Sequence, residues 1–202
     1  SQENGNIAMS EIIIIVDADY VDSVAFNLIV NFERMLNRAL PKADFAQWAV
    51  CVALDGGVRE GKNDVQVVLV HDKQREEMAH FEPGNFSYTL NAKAFNDAHL
   101  GEFTVTSVAT DDTISKERYF EEVMETLLHH DEVKRVMLIP DSETGTAYDR
   151  LRQLLRHTDD DTKRITLFAM EPMPGGNFRQ ELLGYSLMSA LGIKADEINK
   201  KI

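Results

Sequence analysis

The chain has 202 residues, of which 44% are hydrophobic and 27% charged, as is typical of a globular protein with a sizeable core. Its formal net charge of −13 repels phosphate backbones, so nucleic-acid binding would need a local basic patch or a bridging metal ion. A single cysteine excludes an intramolecular disulfide, and no stretch reaches the roughly 18 consecutive apolar residues of a membrane span.

The polar start of the chain, residues 1–9, lacks the basic and apolar regions of a secretory signal. We interpret it as a disordered leader or an expression remnant that precedes a single domain over residues 10–202. A cytoplasmic protein that makes no membrane contact is therefore predicted.

Five short segments rich in apolar or β-branched residues are predicted to be β-strands. The first, Ile12 to Val16, is too short for a helix and rich in β-branched residues, as expected for a strand covered on both faces. Similar runs follow at residues 65–70, 103–108, 136–139 and 165–170.

Helical periodicity occupies most of the intervals between these runs. The clearest pattern extends from Val21 to Ala39, with Asp22 or Ser23 as its predicted N-cap. Further helices are predicted over Phe45–Leu54 with Asp44 as cap, from near Ser115, over Tyr148–Leu155 and over Phe178–Leu191. Residues 71–101 give mixed signals and are left mostly unassigned, with one short strand at Phe86–Leu90.

Alternating strands and helices predict an α/β fold, because parallel strands must be joined by crossover helices. The expected architecture is a three-layer α/β/α sandwich of Rossmann-like type with a mostly parallel five-stranded sheet in the order 3-2-1-4-5. The last helix is apolar on most sides, so we expect it to be buried within the chain or against a second copy, which would make a homo-oligomer.

Acidic side chains follow the first and fourth predicted strands. Asp17 and Asp19 come after the first strand, and Asp141 and Glu143 after the fourth. If these strands are neighbours, the four carboxylates face one crevice at the point where the strand order reverses, which is where open α/β sheets bind ligands. Clustered carboxylates repel one another unless a cation compensates, and Mg²⁺ or Mn²⁺ prefers such oxygen ligands.

Helix capping is the alternative explanation for these acids, because Asp and Ser at a strand-to-helix turn accept hydrogen bonds from the first helical N–H groups. Residues 142–146 also precede a predicted helix, and their backbone N–H groups could bind an anion such as phosphate.

The segments "IIIIVDADY" and "VMLIPDSETG", with the acidic pair Asp111 and Asp112 between them, resemble the acidic layout of the PIN-like nucleases, in particular their NYN branch. The resemblance implies Asp17 as the first metal ligand, Asp112 or Asp111 as the middle one, and Asp141 with Glu143 as the last pair. It also implies divalent-metal cleavage of RNA.

The chain departs from that family at several positions. Tyr20 stands where the family has asparagine, Glu143 replaces its second aspartate, Thr144 replaces an aromatic residue, and Pro140 replaces a small one. A diverged or inactive relative is therefore an alternative, and the whole chain also resembles an uncharacterised bacterial domain family.

Two hypotheses from different classes follow. The first is a Mg²⁺- or Mn²⁺-dependent phosphodiesterase or nuclease acting on RNA, with Asp17, Asp112, Asp141 and Glu143 as catalytic residues and metal ligands and Asp19 in support. The second is a non-catalytic domain that self-associates or binds a small ligand and keeps an acidic crevice without turnover. Fold alone does not decide between them.

Overall fold

The computed structural model of the chain describes residues 10–111, 114–158 and 162–200. Nine strands fall within these ranges: β1 Ile12–Asp17, β2 Ala43–Asp44, β3 Asn63–Asp72, β4 Phe81–Glu82, β5 Lys93–Asp97, β6 Gly101–Thr110, β7 Arg135–Ile139, β8 Arg164–Ala169 and β9 Arg179–Leu182.

Seven of these strands form the central sheet, in the order β5-β6-β3-β1-β7-β8-β9, while β2 and β4 make a separate parallel pair. All neighbours in the large sheet are parallel except β5, which runs antiparallel to β6. The five predicted strands occupy the centre of this sheet in the predicted order. The prediction of only five strands is wrong, because β5 and β9 extend the sheet at its two edges.

Six α-helices lie within the described ranges: α1 Ala18–Leu36, α2 Phe45–Asp55, α3 Lys116–Leu128, α4 Ala147–Leu154, α5 Gly184–Ala190 and α6 Ala195–Asn199. Side chains of a strand point alternately to opposite faces, and both faces of β1 are covered. Ile14 packs with α1, α2 and α5 on one face, whereas Ile13 and Ile15 pack with α3 and α4 on the other. This double burial explains why β1 is a continuous aliphatic run.

The predicted last helix, Phe178–Leu191, is wrong in its first half. Residues Arg179–Leu182 form β9 by pairing in parallel with β8 from Thr166 to Ala169, and the helix α5 begins only at Gly184. The exposed edge of β8 offers backbone hydrogen bonds to this segment, and such pairing overrides a modest helical preference. The buried face of α5 packs on α2 within the same chain.

The strand predicted at Phe86–Leu90 is also wrong, because these residues form a single π-helical turn. The Asn85 side chain accepts a hydrogen bond from the backbone N–H of Tyr88 at 2.8 Å, which holds the chain in a turn rather than extended. Buried Phe86 and Leu90 anchor the turn in the core. The helix over Phe45–Leu54 is confirmed as α2, and its cap is Asp44.

Among the residues that the structure describes, none of the helices combines the length and the apolar character that crossing a membrane requires.

Candidate functional site

A crevice opens at the carboxyl ends of β1 and β7, where the order of the parallel sheet reverses. This is the position at which open α/β sheets bind ligands. The cavity has a volume of about 290 Å³, and Asp17 and Asp141 both line it, as the sequence predicts. The other lining residues are Ser115, Lys116, Glu117, Phe120, Pro140, Thr144, Gly145 and Ala147.

Asp17 is the last residue of β1 and at the same time the N-cap of α1. Its Oδ1 atom accepts a hydrogen bond from the backbone N–H of Tyr20 at 3.1 Å, which satisfies one of the free donors at the start of the helix. The prediction of Asp22 or Ser23 as the cap is wrong, because the helix starts directly at the end of the strand. Buried Asp22 instead accepts the backbone N–H of His80 at 2.8 Å.

Lys116, the first residue of α3, joins the two acids that follow β1. Its Nζ atom donates to Oδ1 of Asp17 and to Oδ2 of Asp19, at 3.1 Å each. Burial works against the charged ammonium, but the two carboxylates outweigh it and raise the pKa of Lys116. The ammonium group therefore supplies the positive charge that the paired acids require.

Asp17 is only 5% exposed, and burial raises the pKa of its carboxyl group in spite of the opposing attraction of Lys116 and the hydrogen bond from Tyr20. Asp19 is fixed by a second contact, because its Oδ2 atom accepts the backbone N–H of Asp72 at 2.7 Å. This hydrogen bond joins the start of α1 to the end of β3.

Asp141 closes a tight turn after β7. Its Oδ1 atom accepts the backbone N–H groups of Glu143 and Thr144, at 3.0 Å each, and its Oδ2 atom accepts the Thr144 hydroxyl. Glu143 is directed elsewhere: its carboxylate accepts the hydroxyl of Tyr20 at 2.5 Å, and it is not among the residues that line the cavity. Burial and this carboxylate raise the pKa of Tyr20, so the phenol remains the donor.

Three backbone N–H groups before α4 already have carboxylate partners. Those of Glu143 and Thr144 are bonded to Asp141, and the N–H of Thr146 donates to Oε1 of Glu117 at 2.7 Å. The hydroxyl of Thr146 donates to the other oxygen of Glu117 at 2.9 Å. These carboxylates occupy the N–H groups of three of the residues that the predicted anion site over residues 142–146 would use, so that site stays a prediction.

The four acids of the predicted metal site that the structure describes have different surroundings. Asp17 and Asp141 line one cavity, Asp17 and Asp19 share Lys116, and Glu143 binds Tyr20. Asp112 lies outside the described residues. Within residues 10–111, 114–158 and 162–200, no three or more His, Cys, Asp or Glu side chains are grouped so that they could hold a metal ion.

Sequence reasoning missed Lys116. A signal for it exists, because Lys116 follows the N-cap Ser115 and so stands in the first turn of a helix, where the helix dipole disfavours a cation. A basic residue at that position indicates an acidic partner elsewhere in the fold.

This fold and crevice define a mixed α/β protein with an acidic cavity at the switch point of its sheet. The chain belongs to a family of unknown function (DUF6621), whose family model matches residues 6–198. No curated protein and no solved structure matches the chain.

Proposed function

We propose that the protein binds a small cationic molecule in the cavity between β1 and β7. One observation carries the proposal: carboxylates at the ends of two neighbouring strands, those of Asp17 and Asp141, line one cavity. With Glu117, the lining holds three carboxylates against the single ammonium of Lys116, a formal charge of −2. A concave site with a negative charge concentrates cations from solution.

The shape and chemistry of the cavity favour a ligand with an apolar part. Phe120, Pro140 and Ala147 contribute an apolar side to the lining, and a volume of about 290 Å³ suits a ligand smaller than a typical drug molecule. A protonated amine attached to a ring or a short aliphatic group matches both features. No bond-making step is needed, so this is the small-ligand form of the non-catalytic hypothesis.

Tyramine and 4-hydroxyphenylacetate form a suitable pair of probes, because they share a phenol ring and differ in the sign of their charge. By calorimetry, tyramine should bind and 4-hydroxyphenylacetate should not. Asp141→Asn should weaken tyramine binding by about tenfold or more, since it removes one charge and keeps an oxygen for the local turn. Lys116→Met should strengthen binding because it removes a competing cation.

Asp149→Asn is the matched control, because Asp149 is exposed on α4 and does not line the cavity. Its affinity for tyramine should equal that of the wild type. Equal binding of both probes, or the same loss of affinity in Asp149→Asn and Asp141→Asn, would contradict a cation site in the cavity.

The second candidate is the metal-dependent phosphodiesterase or nuclease that the resemblance to NYN-type domains implies. The shared cavity of Asp17 and Asp141 favours it as well, since a divalent ion there could bind the phosphate of an RNA substrate. Asp19, Asp112 and Glu143 would complete the site with Mg²⁺ or Mn²⁺. Lys116 competes with that ion, because it already bonds to Asp17 and Asp19.

Thermal unfolding in Mn²⁺ tests this candidate. Mn²⁺ should raise the melting temperature of the wild type, and it should raise the melting temperature of Lys116→Met by more. It should leave the melting temperature of the double variant Asp17→Asn with Asp141→Asn unchanged. Hydrolysis of a single-stranded RNA oligonucleotide should depend on the same residues. A Mn²⁺ response that survives in the double variant would exclude these two acids as ligands.

Self-association through the C-terminal helix stays a prediction. The face of α5 that carries Leu187 and Ala190 is already buried against the rest of the chain, so any dimer would have to use a different face of this helix. Light scattering would report it directly.

A further inference from the structure

A second cavity, of about 470 Å³, lies at the same edge of the sheet but on the other side of β1, beyond the ends of β3 and β6. Its lining comes from the end of β3, the segment that follows it, the π-helical turn Phe86–Leu90 and the strand β6. None of these residues lines the cavity between β1 and β7. The second cavity is therefore a separate candidate site.

The charge of this cavity is opposite to that of the protein as a whole. Lys73 and Arg75 line it and Glu76 is its one carboxylate, in a chain whose net charge is −13. Both basic side chains are exposed, and neither makes an ion pair with any residue that the structure describes. Two cations at the mouth of a cavity that make no ion pair with a described carboxylate favour an anionic ligand.

Two asparagines add hydrogen-bond donors to the lining. Oδ1 of Asn85 accepts the backbone N–H of Tyr88 at 2.8 Å, and Oδ1 of Asn91 accepts the backbone N–H of Ser107 at 2.9 Å. Because an N–H donor requires an oxygen, these bonds fix the orientation of both amides. The end of each side chain that remains for a ligand is its NH₂ group, a donor, which again favours an anion.

An exposed aromatic ring stands at the same cavity. Tyr88 lies in the π-helical turn and is 82% exposed, the highest exposure among the large hydrophobic residues that the structure describes. The turn beneath it is firmly held, because the ring of buried Phe86 stacks on that of His71 with 3.7 Å between centroids. Packing does not explain an exposed tyrosine at this position.

We propose that this cavity binds a small phosphate-bearing molecule with a planar ring, of the mononucleotide type. Lys73 and Arg75 bind the phosphate, the amide donors of Asn85 and Asn91 supply further hydrogen bonds, and the ring stacks on Tyr88. The proposal is independent of the ligand in the other cavity, because the two linings share no residue.

Calorimetry with three probes tests the proposal: AMP, adenosine and inorganic phosphate, at low ionic strength. AMP should bind more tightly than phosphate, and adenosine should bind most weakly. Lys73→Met combined with Arg75→Gln should lower AMP affinity by about tenfold or more. Tyr88→Ala should lower AMP affinity about fivefold or more and leave phosphate binding unchanged, because only the ring contact is lost.

Arg34→Gln combined with Lys42→Met is the matched control, since both residues are exposed and neither lines the cavity. This control removes the same charge and should keep AMP affinity, as should Asp141→Asn in the other cavity. In the wild type, affinity should fall as salt rises. Absence of saturable binding of AMP and phosphate, or equal loss in the control, overturns the anion site; an unchanged AMP affinity in Tyr88→Ala overturns the ring contact.

Discussion

The ammonium group of Lys116 lies 3.1 Å from Oδ1 of Asp17, and the two residues are 99 positions apart in the chain. Asp17 is buried at the end of β1 and caps α1, while Lys116 opens α3, so this ion pair connects helices that pack on opposite faces of the sheet. Burying a carboxylate without its cation costs free energy, so the loss of this ion pair should measurably lower the free energy of unfolding.

Lys116→Met should lower the free energy of unfolding by about 1–3 kcal/mol. This is less than the loss expected for a fully buried ion pair, because the Lys116 side chain is 28% exposed. In an Asp17→Asn background the same substitution should cost less, since no buried charge is left unpaired. Urea unfolding of the four proteins of this double-mutant cycle measures the coupling. Additive effects of the two substitutions would show that the ion pair contributes nothing.

Two substitutions distinguish the capping role of Asp17 from its negative charge. Asp17→Asn keeps a side-chain oxygen for the N–H of Tyr20, whereas Asp17→Ala removes it, so the alanine variant should be less stable than the asparagine variant by about 1 kcal/mol. Asp44 is the matched control, because it caps α2 through a 3.1 Å hydrogen bond from the backbone N–H of Gln47 and forms no ion pair with any lysine in the described part of the chain. Its Ala and Asn variants should differ by a similar amount. Equal stability of Asp17→Ala and Asp17→Asn would count against the cap.

The central five strands were predictable because most of them are short aliphatic runs buried on both faces, such as Ile12–Asp17, and β6 is rich in β-branched residues. The edge strands were not, because Lys93–Asp97 and Arg179–Leu182 carry mostly exposed or half-buried polar residues and owe their conformation to a neighbouring strand. The pattern of apolar residues within a segment does not show which strand will lie next to it.

The closeness of Asp17 and Asp141 was predictable, whereas the contacts around them were not. Strand polarity places Asp17 and Asp141 at one edge, and the structure has them in one cavity. The bond from Lys116 to Asp17 depends on the path of a chain of 99 residues, which local sequence patterns do not specify. The cap was misassigned because α1 follows β1 without a loop, so Asp17 belongs to both elements.

His71 should make the stability of the protein depend on pH near neutrality. Burial lowers the pKa of its ring below the usual 6.5, although a hydrogen bond with the carbonyl oxygen of Asp72 opposes this effect. The unfolded chain therefore takes up a proton at His71 at a higher pH than the folded protein does. As pH falls through 6.5 towards the folded pKa, this residue lowers the free energy of unfolding.

His71→Phe removes the titrating group and keeps a ring to stack on Phe86. Urea unfolding at a series of pH values should show a smaller loss of stability between about pH 7 and 5 in this variant than in the wild type. Above pH 8 the two curves should run parallel, because the ring is neutral in both the folded and the unfolded chain. Parallel curves below pH 6.5 as well would refute the contribution of His71.

Tyr148 of α4 has a buried hydroxyl group that makes no hydrogen bond with any residue the structure describes. Its ring packs edge-on against Phe178, with 6.2 Å between centroids, so the contacts of the ring do not depend on the hydroxyl. Burying an unsatisfied hydroxyl costs about 1–3 kcal/mol, and Tyr148→Phe removes that cost while it keeps the ring. The variant should gain about 1 kcal/mol in the free energy of unfolding, as measured in urea.

Tyr185→Phe, at a position that is 68% exposed, should change stability by less than about 0.5 kcal/mol. A Tyr148→Phe protein less stable than the wild type would mean that the hydroxyl has a partner in the folded protein, such as a buried water molecule.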